Sequence, residues 1–342
     1  MKIVYDSIVY SLQKAGGISL YWSQLEKYLE HDVIRMIYNK CEENIFFKKS
    51  LDKINNNNIL YERYKNIKIP EKKPFVLHSS YYRYSKNINA VNILTVYDFM
   101  HEILINNIKS KLFSIQKKIA ILNSSGIIFI SKNTENDFNL LYPNYNGIKK
   151  VIYLGIESGY KHLNISKKNN VIFIGSREYY KNFKYAVCII EKKPELKLQI
   201  VGGGKLEKKE LSLLKNKIKN RYEYYPSLRI EELNVKYNEA KFLLYPSLYE
   251  GFGFPVVEAQ AAGCPVVCCN VSSLPEVAGN AAVYISGKNI ENDLIEISKL
   301  DNKIYYNDLL ERGFKNSKRF SWKKCAKETL EFYQEVYRSI LK

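Results

Sequence analysis

The sequence predicts an α/β protein built from two doubly wound parallel-sheet domains facing a central cleft. Three observations carry that expectation. Short β-branched runs alternate with amphipathic helical stretches, the pattern of strands covered on both faces by crossover helices. The pattern occurs twice, in two sets separated by the polar, lysine-rich stretch GIESGYKHLNISKKNN at 155–170. The chain has 342 residues and is 46% hydrophobic, enough to bury two ordinary cores.

In the first set, KIVYDS (2–7) reads as the opening strand and Ile18 to Leu29 as the first helix. PFVLHSS (74–80) and NILTVYDF (92–99) are the next strands, the helical spacing of Ile108 to Leu122 follows, and GIIFIS (126–131) and KKVIYLG (149–155) close the set. The second set runs NVIFIGS (170–176), LKLQIVGGG (196–204), AKFLLYPS (240–247), CPVVCCN (264–270) and AAVYI (281–285). Trp322 to Leu341 reads as one or two helices. The expected domains are 1–155 on the acceptor side and 156–321 on the nucleotide side. A C-terminal helix, 322–342, is expected to pack back on the first domain. No tandem repeat is present, and only the run Asn55–Asn58 is low in complexity.

Composition narrows the function classes. Net charge is +18, from 53 Lys and Arg against 35 Asp and Glu. The excess points to an anionic partner: a phosphate-bearing ligand, a membrane surface or nucleic acid. No RNA-binding or zinc signature accompanies it, so nucleic acid is not expected. MKIVYDSIVY lacks the features of a signal peptide, and no apolar run reaches the ~18 residues that span a bilayer. The six scattered cysteines form no C-x-x-C pair and read as free thiols of a cytoplasmic protein. Lys109, Lys111, Lys117 and Lys118 accompany apolar positions at helical spacing in 106–122. That segment is either a helix lying on an anionic membrane or a core helix with solvated lysines.

Three loops follow strands and could meet phosphate. Gly16 and Gly17 precede the first helix, where the missing Cβ and the positive end of the helix favour an anion; the same pair also serves as a plain turn. Gly202 to Gly204 fit neither a dinucleotide fingerprint nor a P-loop and read mainly as a strand-to-helix turn. Arg177 and Lys181 lie just past the first strand of the second domain, where open sheets bind ligands. A guanidinium and an ammonium in one loop suit a diphosphate, or form a solvated basic turn.

The segment LLYPSLYEGFGFPVVEAQAAGCPVV (243–267) places two carboxylates around a glycine-aromatic turn. Pro255 suits the first helical position and Gly263 the helix end, so Glu250 falls in a loop and Glu258 about one turn into a helix. The arrangement suits a nucleotide-linked sugar. Glu250 would bond hydroxyls of the transferred sugar and Glu258 the ribose, with the helix start, Arg177 and Lys181 neutralising the diphosphate leaving group. A carboxylate beside cations is expected to stay ionised.

YEGFGFPVVEAQAAGCPVV resembles the E-x7-E signature of retaining glycosyltransferases of family 4, which have the GT-B fold of two Rossmann-like domains. Gly16-Gly17, VIFIGSREYYKN, IVGGG, EELNVKYNEAKFLLYPS and SSLPEVAGNAAVYI are similar to further family segments. VLHSSYYR and TVYDFMHE are similar to a bacterial branch that builds surface polysaccharides. The resemblance implies that Arg177 and Lys181 bind the donor phosphates and that Glu258 binds the ribose. It places Glu250 on the donor sugar, with the amides of Phe252, Gly253 and Phe254 nearby, and has Gly17 approach the phosphates. It also implies retention of anomeric configuration, no metal ion and no cofactor beyond a UDP- or GDP-hexose donor.

Relatives carry a histidine where Tyr97 precedes Asp98 here. Tyr97, Asp98 and His78 are therefore the candidates for the sugar or acceptor side, with His101 a further nearby histidine. The leading expectation is a hexosyltransferase acting on a glycan or lipid-linked glycan, cytoplasmic and peripheral on the inner membrane face. A nucleotide-sugar epimerase of the same architecture and a non-catalytic nucleotide-sugar binder are the alternatives.

Overall fold

The computed structural model describes residues 1–29, 33–38, 41–48, 54–55, 58–105 and 107–341. Asn56 and Asn57 of the asparagine run lie outside the described residues. From the N-terminus come β1 (Lys2–Asp6), α1 (Val9–Leu12), α2 (Gly17–Tyr28), β2 (Val33–Tyr38), β3 (Ile54–Asn55), α3 (Ile59–Glu62) and β4 (Phe75–Ser79). These are followed by β5 (Ala90–Val96), α4 (Met100–Ile103), α5 (Ile108–Leu122), β6 (Gly126–Phe129), α6 (Lys132–Leu141) and β7 (Ile148–Val151). The strands pair in parallel in the order β3-β2-β1-β4-β5-β6-β7.

The second sheet begins with β8 (Asn170–Ile174), α7 (Phe183–Lys192), β9 (Lys197–Val201), α8 (Lys208–Ile218), β10 (Tyr222–Tyr225) and α9 (Ile230–Glu239). Then come β11 (Phe242–Tyr245), α10 (Phe254–Ala261), β12 (Val266–Cys269), α11 (Leu274–Ala278), β13 (Val283–Ile285), α12 (Ile290–Ser298), α13 (Lys303–Ser317) and α14 (Trp322–Ile340). Its strands are parallel too, in the order β10-β9-β8-β11-β12-β13. The chain divides into two units: Met1–Gly155 with Ser321–Lys342, and Ile156–Phe320.

Central strands are mostly apolar and fully buried because helices cover both faces: every residue of β4, β6, β11 and β12 is buried. Strands that the β-branched pattern does not reveal are β2, β3 and β10. In β2, VIRMIY carries Arg35 and a half-exposed Ile34; β10, YEYY, is an edge strand with no buried residue. The edge strands β3 and β10, and β2 next to the edge, lack the continuous apolar run that marks a central strand.

Within the first unit α14 packs on α2, burying Trp322, Phe332, Tyr333 and Val336. Gly155 leaves no room for a side chain there, since a Cβ would meet the Trp322 backbone nitrogen at 2.1 Å. The six cysteines are free; five are buried and Cys188 is half-buried.

In α5 the expectation for Lys117 is corrected. It is not a surface lysine but is buried: its Nζ donates to Asp98 O and Glu102 Oε2, both at 2.9 Å, among the rings of Tyr82, Phe99 and Phe113.

Candidate functional site

In the second unit the strand order reverses between β8 and β11, and the loops leaving those strands flank the reversal. Open parallel sheets bind ligands at that point. The loop after β8 carries Lys181 in a short turn, Tyr179–Lys181, and the loop after β11 carries Glu250. The Leu248 amide donates to Tyr180 O at 2.7 Å, tying the loops together.

The Glu250 turn is built to hold its shape. The Glu250 amide donates to Ser272 Oγ (2.9 Å), and Ser273 Oγ donates to Glu250 O (2.9 Å) and Phe252 O (3.1 Å). Gly253 precedes α10 with φ +97°, a conformation that disfavours any side chain, and a Cβ there would sit 3.0 Å from Leu274. Pro255 is the second helical residue rather than the first, because Phe254 already belongs to the helix. Gly263, at φ +72°, follows the helix end. Glu258 is thus the fifth residue of α10, while Phe252 and Phe254 stack edge to face at 5.4 Å.

Lys181 and Glu250, 69 residues apart in sequence, meet. Lys181 Nζ donates to Glu250 Oε1 at 2.5 Å and to the Tyr245 hydroxyl at 3.0 Å, and lies over the Tyr245 and Tyr180 rings. Both side chains retain 12% exposure. The pair is enclosed by aromatic carbon yet reachable.

Arg177 does something else. Its Nε donates to Glu210 Oε1 (2.8 Å) and Nη1 to Gly202 O (2.8 Å). Nη2 contacts Gly203 O (3.1 Å), Gly204 O (2.9 Å) and Lys205 O (2.9 Å). Gly202, Gly203 and Gly204 all have positive φ, +81°, +76° and +72°. Three successive left-handed residues turn their carbonyls inward, and glycine alone takes that conformation cheaply. The guanidinium fills the resulting ring of acceptors, so Arg177 here braces the glycine turn instead of standing open to phosphate beside Lys181.

Glu258 also departs from expectation. It is expected to be an ionised acceptor near cations, but its partners are phenols: Tyr237 donates to Oε2 at 2.9 Å and Tyr160 bonds the same carboxyl. Burial pushes its pKa up to about 7, with a small further push from Glu157 and opposition from the two tyrosines. Sequence reasoning missed Tyr160, Tyr237, Tyr245 and Ser272 as site residues, although each lies in a segment already singled out.

In the first unit, Gly16 is the residue before α2 and Gly17 its first residue. No side chain caps that end, no acid stands in the first turn, and Gly17 is exposed. Asp98, just past β5, is half-buried and accepts from the Met100 amide at 3.0 Å. Two candidates are corrected. Tyr97 is buried, its hydroxyl accepting from Trp22 Nε1 at 2.8 Å. His78 is fully buried, with one nitrogen on the Tyr333 hydroxyl and the other on Thr95 Oγ1; burial drives its pKa down to about 3. Both are core groups because β4 and β5 are central strands covered on both faces. His101 bonds Ser110 Oγ at 2.7 Å and packs at a tilt against the Phe113 ring.

The first sheet reverses between β1 and β4, and there Asp6, the last residue of β1, pairs with Arg83 at 3.0 Å. Arg83 also reaches Glu62 and Tyr38, and a cavity of about 510 Å³ lined by Tyr38, Glu62, Lys65, Lys68 and Arg83 adjoins them. Asp6 ends the KIVYDS strand and Arg83 ends VLHSSYYR, but sequence alone did not mark either as a charged partner of the other.

Residues 158–312 match the family described as glycosyl transferases group 1. Over 98% of this chain and 99% of the other, the sequence is 29% identical to an uncharacterized glycosyltransferase, MJ1178, of Methanocaldococcus jannaschii. It is 38% identical to O-antigen chain mannosyltransferase B of Escherichia coli over 105 residues, 30% of this chain and 28% of that protein. Among solved structures, sucrose-phosphate synthase from Thermosynechococcus elongatus superposes with a TM-score of 0.76, covering 99% of this chain and all of that one at 15% identity. Anabaena HepE, in complex with UDP and glucose, superposes with a TM-score of 0.73 over 98% of this chain and all of that one at 12% identity. The fold is GT-B, and the matches support a glycosyltransferase.

Proposed function

We propose that the protein is a retaining hexosyltransferase that moves a sugar from a UDP- or GDP-hexose to a glycan or lipid-linked glycan in surface-polysaccharide synthesis. It would work in the cytoplasm, at the anionic face of the membrane where a lipid-linked acceptor is used. One observation carries the reading: Lys181 and Glu250 meet at the strand-order reversal of the second sheet, with Glu258 held in the helix that starts there. That region lies inside the span matching glycosyl transferases group 1.

In this proposal the first amides of α10 and Lys181 take the diphosphate, whose developing charge they neutralise as the glycosidic bond breaks. Arrival of the diphosphate draws Lys181 from Glu250, freeing that carboxylate to accept hydrogen bonds from the donor sugar. Glu258, once ionised, accepts the two ribose hydroxyls. The amides of Phe252, Gly253 and Phe254 line the same turn. Arg177 acts through the glycine turn it braces. In the first unit, the uncapped α2 start at Gly16 and Gly17 is the anion-receptive end, and Asp98 remains a candidate on the acceptor side. The incoming hydroxyl attacks on the face from which the diphosphate leaves, which retains configuration, and no metal takes part.

A panel of UDP- and GDP-hexoses screened for thermal stabilisation tests donor binding. Release of nucleoside diphosphate with glycan acceptor present then tests transfer. Stabilisation with acceptor-dependent release is expected. Stabilisation without release indicates a binder, and interconversion of the sugar without acceptor an epimerase.

A further inference from the structure

Helix α5 presents apolar side chains to solvent. Ile108, Leu112, Ile115, Ile119 and Leu122 recur at helical spacing, and each is 46–79% exposed. At about 100° per residue they form one stripe about 80° wide. The opposite side of the same helix is the packed side. Ser110, Lys117, Ala120 and Ile121 are buried there, and Ala120 and Ile121 join the core formed with Leu94, Val96, Phe99 and Phe129. An ordinary surface helix does the reverse, turning its apolar stripe inward and its lysines outward.

Further apolar residues of the first unit are exposed as well. Ile103 and Leu104 at the end of α4 are exposed, as is Tyr64. Tyr64, Leu112, Ile115 and Ile119 share an open apolar groove of about 360 Å³. Contiguous exposed apolar surface of this kind marks an interaction site.

Charge selects the occupant. Lys111 and Lys118 border the stripe on one side and Lys109 on the other, all exposed. Ile108–Leu122 contains no acidic residue. A second copy docked stripe to stripe would set these lysines against their own kind. A phosphate-rich lipid surface would accept both the apolar residues and the bordering cations. Among the described residues no helix is long and apolar enough to cross a membrane, so contact through this face lies in the plane of the bilayer.

We infer that α5, with the adjoining end of α4 and Tyr64, is an anionic-membrane docking face of the first unit. The inference is independent of the donor site, because binding is read without any transfer reaction. Flotation of the full chain with phosphatidylcholine vesicles, with and without phosphatidylglycerol, tests it. Binding to the phosphatidylglycerol vesicles is expected at low salt, falling as salt rises. Leu112→Asp with Ile115→Asp should lower partitioning at least tenfold while melting temperature and donor-induced stabilisation stay as in the parent. Lys109→Glu, Lys111→Glu and Lys118→Glu together should lower it on the order of a hundredfold, at about fivefold per lysine. Three results would overturn the inference: no binding of the parent to anionic vesicles at low salt, unchanged binding by both variants, or a sedimenting dimer that the Asp variant splits.

Discussion

Each sheet reverses its strand order once, and at each reversal an ion pair joins the chain where it leaves the two flanking strands. In the first unit the pair is Asp6 with Arg83, exposed by 0% and 1%; in the second it is Glu250 with Lys181, each exposed by 12%. The first pair is saturated. Asp6 accepts from Ser79 as well as Arg83, and Arg83 also bonds Tyr38, Glu62 and Lys65 O. The second keeps a face open and is supported mainly by aromatic rings and the Tyr245 hydroxyl. A charge pair sealed from water and fully bonded cements strand ends. The same pair left partly open, beside a helix start, can exchange its partner for a ligand.

That contrast predicts opposite consequences for equivalent substitutions. Arg83→Ala leaves Asp6 buried without its cation and should cost about 3–5 kcal/mol of stability, seen in denaturant melts, with nucleotide affinity of the folded fraction unchanged. Lys181→Ala should do the reverse: turnover falls about 10²–10³-fold while the melting temperature moves little. If Lys181→Ala merely unfolds the protein, the two ion pairs are equivalent and the contrast is lost.

Glu258→Ala should weaken nucleotide binding about 10- to 100-fold, the value of hydrogen bonds to a charged acceptor. Its pH dependence sharpens the point. The folded carboxyl titrates near 7 against 4.5 for the free group, so the folded chain holds the proton more tightly. Stability tied to this group is therefore full below about pH 4.5 and is lost as pH rises through 7, on the order of 3 kcal/mol in all. Glu258→Gln should melt above the parent at pH 8 and match it at pH 4. If ribose needs the ionised form, nucleotide affinity of the parent should climb as pH passes 7, and the Gln variant should show no such rise in calorimetry.

The smallest effect belongs to Tyr97→Phe. Losing the hydroxyl that accepts from Trp22 should cost about 1 kcal/mol of stability and leave transfer unchanged. A tenfold loss of transfer with stability intact would return Tyr97 to the site.

What the sequence made legible follows from where information is local. The central strands and the turn from Tyr245 to Glu258 are written in consecutive residues: apolar runs, glycines at forced dihedrals, a proline in the first turn. Alternation of strand and helix was enough for the two parallel sheets. The edge strands β3 and β10 were not legible, since an edge needs no unbroken apolar run, and β2, next to the edge, has its apolar run broken by Arg35. Side-chain destinations were legible only in part. Nothing in REYYKN distinguishes the lysine that meets Glu250 from the arginine that turns back to three left-handed glycines, because that choice is made by a loop 25 residues away. His78 and Lys117 carry chemistry-bearing side chains into the core, where burial and not residue type decides their role. The ionisation of Glu258 is likewise set by its burial, which Tyr160 and Tyr237 oppose, and the spacing of the two glutamates does not reveal that burial.

The central claim is that the strand-order reversal of the second sheet holds the donor. Crystals grown with UDP or GDP test it most directly. The account predicts ribose hydroxyls within hydrogen-bond distance of Glu258, and the diphosphate against the Gly253–Phe254 amides with Lys181 turned from Glu250 toward it. A nucleotide seated elsewhere, for instance in the cavity beside Tyr38 and Arg83, with the Lys181–Glu250 pair undisturbed, would contradict it.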